Sequence, residues 1–218
     1  EDRDTKRNLR LVFSGDIGRP NSPLLKDPTL ITAADVLIME STYGDRNHKP
    51  DTSSTDELEE MINRTYQRGG KILVPAFAVG RTQQVVYELN RLHNEGRIPN
   101  LPVFVDSPMA TDASEVFQRH QKDLDEEAMR ELARDPDHNL FGFSRLKYIR
   151  DVSESKALNE FRGSCVIISA SGMMEHGRIL HHLRNNIENP ANTICIVSWQ
   201  APETLGRRLA EREKQVRI

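Results

Sequence analysis

The chain has 218 residues, 37% of them hydrophobic and 29% charged, and a formal net charge of −3. That length holds one good-sized domain, or one domain plus part of another. The composition excludes a membrane-spanning helix, since no apolar run approaches the roughly 20 residues needed, and it excludes a chain that attracts nucleic acid by net charge alone. An RNA-binding protein of this charge would have to gather its Arg and Lys in one cleft. Glu1 to Arg10 is charged throughout and does not resemble a secretory signal. The first residue is not Met, which leads us to expect a piece of a longer protein. Cys165 and Cys195 each sit in an apolar run and lack metal-ligand spacing. They read as small buried residues of a reducing, cytoplasmic compartment.

In chain order, Leu9 to Phe13 is an apolar run that stops at Ser14-Gly15-Asp16. Val36 to Met39 is a second run that stops at Glu40. Both read as buried strands. Ser54-Thr55-Asp56-Glu57 has the form of a capping box, and Leu58, Met61, Ile62 and Tyr66 follow at helical spacing. Gly69-Gly70 ends that helix. Lys71 to Phe77 is a buried strand, and Arg81 opens a helix with Val85, Val86, Leu89 and Leu92 as its stripe, closed by Gly96. Val103 to Val105 is a short strand ending at Asp106. A long helix is expected from about Asp112 to Ala133, then a polar loop from Asp135 to Phe143. Leu146 to Ile149 reads as a strand and Ser155 to Phe161 as a short helix. Cys165 to Ser169 is a strand, His176 to Asn186 a helix and Thr193 to Trp199 a last central strand. A further helix starts near Thr204, and Val216 to Ile218 resembles the start of a strand. Alternation of strands and helices, with continuous apolar strands, predicts an α/β fold: a Rossmann-like parallel sheet with helices on both faces.

Three features of this pattern bear on chemistry. A carboxylate just past a buried strand is costly without a metal, a cation or several donors. Asp16 and Glu40 share that design, which predicts a common polar site at one sheet edge. The simpler readings are a turn Asp between glycines for Asp16 and an ion pair, for example with Arg46, for Glu40. Secondly, Gly80-Arg81-Thr82, Asp106-Ser107-Pro108 and Ser169-Ala170-Ser171-Gly172-Met173 each follow a strand. Helix N-termini there favour anions, Arg81 adds a phosphate-matching guanidinium, and such turns gather where parallel sheets bind ligands. Together they predict a groove tracking an RNA backbone. The alternative is that Gly and Ser merely permit tight turns and caps. Thirdly, His176, His181 and His182 read as structural, because adjacent residues point to different sides of a helix. His93 and His120 read as surface residues, and the charges of 112–134 as a solvated helix face.

Several blocks carry a resemblance: GDIGRPNSPLL, MESTYGDRNH, PAFAVGRTQ, VDSPMA, SASGMMEHGRILHHL and SWQAPETLGRRL. Together, in this order, they resemble the metallo-β-lactamase/β-CASP nucleases, which process and degrade RNA. Trp199 and Glu203 depart from a frequent Tyr and a common Gly. The resemblance implies that Asp16 bridges two zinc ions, that Glu40 is an active-site acid and that His48 lies near the catalytic edge. It implies that Arg81, Thr82, Ser107, Ser171, Gly172 and Met173 hold the substrate. It implies residues 1–45 as part of the lactamase-like domain, 46–213 as the β-CASP domain and 214–218 as the return to the former. The implied activity is zinc-dependent hydrolysis of single-stranded RNA, endonucleolytic, 5′-exonucleolytic or both, in a cytoplasmic protein for which a homo-oligomer is one expected state. The family's His-x-His-x-Asp-His run is not found, since none of the seven His (48, 93, 120, 138, 176, 181, 182) have that spacing. Its two later His motifs are also missing. We therefore expect this chain alone to be inactive. Two other classes stand beside this one: a non-catalytic module that binds RNA or protein, and a nucleotide-binding Rossmann domain. The second lacks any G-x-G-x-x-G or P-loop after a strand.

Overall fold

The computed structural model describes residues 8–18, 20–45, 47 and 51–218. Two parallel sheets organise them. The smaller pairs β1 (Leu11–Phe13) with β2 (Val36–Ile38), Phe13 lying opposite Ile38. The larger has five parallel strands, β3 (Ile72–Pro75), β4 (Val103–Asp106), β5 (Leu146–Ile149), β6 (Val166–Ser169) and β7 (Thr193–Ile194), in the order β5-β4-β6-β3-β7.

Strand alternation builds a core on each face. Ile72, Val74, Val103, Val105, Val166 and Ile168 point to one side. There they meet α1 (Asp51–Gln67) through Ile62, α2 (Arg81–Asn94) through Val86 and Leu89, and α3 (Pro108–Arg119) through Ala110. Leu73, Ile167 and Cys165 point to the other side and meet α5 (Val152–Glu160), α6 (Arg178–Asn186) and α7 (Leu205–Ala210) through Leu158, Ile179, Leu183 and Leu205. Both sides of β3 and β6 are buried, which is why they read as unbroken apolar runs. Among the described residues no helix is long and apolar enough to cross a membrane. Burial pushes the thiols of Cys165 and Cys195 up to about 11, so both stay protonated at neutral pH.

Several elements differ from the sequence reading. β1 and β2 are strands but exposed ones, with Phe13 68% accessible. Among the described residues neither face of this pair is covered by a layer comparable to those on the larger sheet. α1 starts at Asp51, so Ser54 lies inside the helix and is no cap. The expected single helix from Asp112 is two. α3 begins earlier, capped by Ser107 with Pro108 in its first turn, and ends at Arg119. After a 3-10 turn at Gln121–Asp123, Asp125 caps α4 (Glu126–Arg134) by accepting from Ala128 N. β7 is confined to Thr193–Ile194, because only its first residues pair with β3. No strand forms at 216–218; Val216 and Ile218 instead pack against the second core.

The loop after β1 docks on the larger unit. Leu24 is buried in the first core, its backbone held at φ 85°. Leu24 O accepts from Asp125 N, and Leu25 forms a bridge with Leu124. Gln84 Nε2 lies 3.5 Å from Ser22 Oγ, which ties the same loop to the start of α2.

Candidate nucleic-acid interface

The strand order places the three turns together. β4, β6 and β3 are neighbours, with Pro75 level with Ser169 and Val105 level with Ile168. Their C-terminal ends therefore form one edge. Ser169 Oγ donates to Asp106 O at 2.9 Å and Ala76 N to Ser169 O at 3.1 Å, so the three ends are also bonded to each other.

The turns differ in what they leave open. At 80–82 the helix N-terminus is mostly committed. Gly80 N donates to Gln83 Oε1, Arg81 N to Val79 O and Thr82 N to Phe77 O. Thr82 is buried and its hydroxyl also donates to Phe77 O, at 2.8 Å. It thus shapes the turn, and both of its donors are spent internally. The N–H groups of Gly80, Arg81 and Thr82 are thus not the open anion donors expected of this helix N-terminus. Ser107 is likewise buried, its hydroxyl accepting from Ala110 N as the α3 cap. The 171–176 turn is different. Ser171 Oγ accepts from Glu175 N at 3.2 Å and His176 N at 3.4 Å. Gly172 and Met173 N–H, by contrast, find no acceptor among the described residues, although Gly172 is buried. Buried N–H groups without acceptors are rare. Two in succession, that of Gly172 buried and that of Met173 half-buried, offer donors to an anion. The turn is held from behind: Gln200 Nε2 donates to Gly172 O at 3.0 Å, Gly206 N to Met173 O at 3.1 Å and Leu205 N to Glu175 Oε1 at 2.6 Å.

One charged cluster lies outside the sequence expectations. Asp106 is fully buried at the end of β4. Its carboxylate accepts from Ser155 Oγ at 2.6 Å and from Arg178 Nη1 and His182 Nε2, each at 2.7 Å. Burial works to raise its pKa, but the bonds from His182, Ser155 and Arg178 outweigh it and hold the carboxyl below the usual value. Arg178 also donates to Ile149 O and Arg150 O, so one acid fastens β4, β5, α5 and α6. Asp106 therefore meets the condition that a carboxylate past a buried strand needs partners. The signal for it was the same strand-then-acid pattern seen at Asp16 and Glu40. His182, read as structural, is part of this fastening.

Asp16 and Glu40 sit at the matching ends of β1 and β2, and both are exposed. Ser14 Oγ accepts from Glu40 N at 3.2 Å and joins the two ends. Bonds from Thr42, its hydroxyl first and then its N–H at 2.7 Å from Oε2, hold the Glu40 carboxyl below its ordinary value. Exposure removes the desolvation cost on which the expected shared site rested. His48, and the Arg46 considered as a partner for Glu40, lie outside the described residues. Zinc takes about four ligands in protein sites, and no group of three or more His, Cys, Asp or Glu among the described residues could hold a metal ion. The donors described do not fit a zinc site on their own.

The Beta-Casp domain family matches residues 82–209. The chain belongs to the β-CASP family. Its relatives include a ribonuclease of Thermus thermophilus, 37% identical over 209 residues, which cover 95% of this chain and 47% of that protein. A transcription termination factor of Methanosarcina mazei is 30% identical over 210 residues, 94% of this chain and 32% of that protein. An endoribonuclease of Eremothecium gossypii is 29% identical over 206 residues, 92% of this chain and 26% of that protein. The chain thus spans about half the length, or less, of these curated relatives.

Proposed function

We propose that this β-CASP chain is the substrate-clamping part of a ribonuclease acting on single-stranded RNA. The observation that carries the reading is the pair of N–H groups at Gly172 and Met173, without acceptors among the described residues, on the edge shared by β4, β6 and β3. A backbone phosphate supplies the missing acceptors. Arg81, in the turn after neighbouring β3, adds a second phosphate contact. Ser171 shapes the cradle, while Thr82 and Ser107 keep the flanking turns in place.

On this reading residues 1–45 belong to a lactamase-like domain, 46–213 form the β-CASP domain and 214–218 return to the former. Asp16 is one zinc ligand of the intact protein, and Glu40 and His48 lie at its catalytic edge. The further ligands a dinuclear zinc site needs are not found among the described residues, so hydrolysis is assigned to the intact protein and binding to this chain. The reading includes a cytoplasmic setting and association of copies, for which fractionation and sedimentation are the direct measurements.

The test uses a 5′-phosphorylated single-stranded RNA with zinc. Full-length protein should bind and cleave it. Asp16→Ala should abolish cleavage while changing binding by less than about twofold, because it removes a ligand and no phosphate contact. Arg81→Ala should weaken binding about tenfold. The 218-residue chain should bind without cleaving. Cleavage by that chain, lost in Asp16→Ala, would mean that a complete metal site exists within these residues. Failure of the full-length protein to bind the RNA would remove the reading.

A further inference from the structure

Phe77 is the first large side chain beyond β3, and although it closely follows a buried strand the residue is 43% exposed. It is not loose. Gly172 packs directly beneath it: a Cβ at that position would lie 3.0 Å from Phe77 Cδ2 and 3.1 Å from Cε2. Gly172 is in turn fixed by Gln200 and carries one of the two N–H groups without acceptors among the described residues. One residue thus touches an exposed aromatic ring and carries an anion donor of its own. Val79, just before α2, and Met109, in the first turn of α3, are also exposed apolar residues of the turns that follow β3 and β4, at 62% and 65%.

The phosphate and base of one nucleotide are joined through a single ribose. A site that places phosphate donors beside an aromatic face offers a partner to each. Every base has a π-face, so such a platform works without sequence preference. We propose that Phe77 stacks an unpaired base of the RNA whose adjacent phosphate is held by Gly172 and Met173. This rests on the reading of the chain as a single-stranded RNA clamp. A covering protein surface would also bury Phe77, but it gives no role to the two N–H groups beside the ring. The nucleotide accounts for both.

The experiment measures binding by full-length protein of two 5′-phosphorylated oligomers of equal length: a single-stranded RNA and an abasic ribose-phosphate chain. Wild type should bind the RNA more tightly than the abasic chain. Phe77→Leu keeps apolar bulk and removes the π-face. It should weaken RNA binding about tenfold and leave abasic binding unchanged, erasing the preference. Phe77→Trp should restore RNA binding to within about twofold. Thermal unfolding of Phe77→Leu, superimposable on wild type, is the fold control. The proposal is overturned if Phe77→Leu weakens neither oligomer, as for a ring that meets protein, or weakens both equally, as for a support of the turn. It is also overturned if wild type binds both equally. In those cases the clamp reading stands, because wild type still binds. Binding of neither oligomer by wild type would remove both.

Discussion

At the scale of single residues, Asp106 is a fully buried charge held by its partners. It has no accessible surface and accepts three hydrogen bonds, two from groups that carry or can carry positive charge. Taking away the carboxylate of such a cluster leaves Ser155 and His182 buried without that acceptor, while Arg178 keeps its bonds to Ile149 O and Arg150 O. Asp106→Asn should therefore cost about 3 to 5 kcal/mol at neutral pH, read as a lower midpoint in urea unfolding. The pH dependence has a definite sign. The Asp106 carboxyl titrates lower in the folded protein than its ordinary 3.8. Its stabilisation is present above that ordinary value and is lost as pH falls through the folded value. Midpoints taken from pH 6 down to pH 2 should converge for wild type and Asp106→Asn. A constant gap across that range would show that the carboxylate charge is not what the cluster depends on. None of these partners was legible from local sequence, because they stand 49, 72 and 76 positions from Asp106. Thr82 shows the reverse case: its place in a Gly-Arg-Thr turn suggested an outward role, and only the path of the Phe77 carbonyl turns its hydroxyl inward.

At the scale of elements, the differences in boundary have local signals that explain them. Ser107-Pro108 is a cap followed by a first-turn proline, and Asp125-Glu126-Glu127 is a second helix start. Both were masked by the charged periodicity that runs through 112–134. The break between the two helices also has a tertiary use, since Leu124 and Asp125 receive Leu25 and Leu24 there. Leu24→Ala should cost about 2 to 5 kcal/mol, the usual range for emptying a filled core site. It should also raise amide exchange in 20–27 by releasing the loop from α4. If stability falls while exchange in that loop stays unchanged, Leu24 is core filling alone and not the anchor.

At the scale of the whole molecule, the two sheets differ in kind. β3 and β6 are buried on both faces, whereas every residue of β2 is exposed. Backbone hydrogen bonds with little apolar cover open at low free energy. In the 218-residue chain, amides of β1 and β2 should exchange orders of magnitude faster than those of β3 and β6. Equal protection across Phe13 to Glu40 and across β3 would show that the small sheet has stability of its own.

Five parallel strands and their class can be read from the amino-acid order alone, since strands buried on both faces must be continuously apolar. So can the family, through blocks that lie mainly in turns after those strands. Which strands are neighbours is settled in three dimensions, and with it which turns share an edge. Burial is settled there too. An apolar run reads alike whether a layer covers it or not, so β1 and β2 looked like β3 until their surroundings were known. The three strand-end acids divide for the same reason. Asp106 is enclosed and must be paired, while Asp16 and Glu40 face solvent, because the cost of a charge depends on what surrounds it and not on its place at the end of a strand.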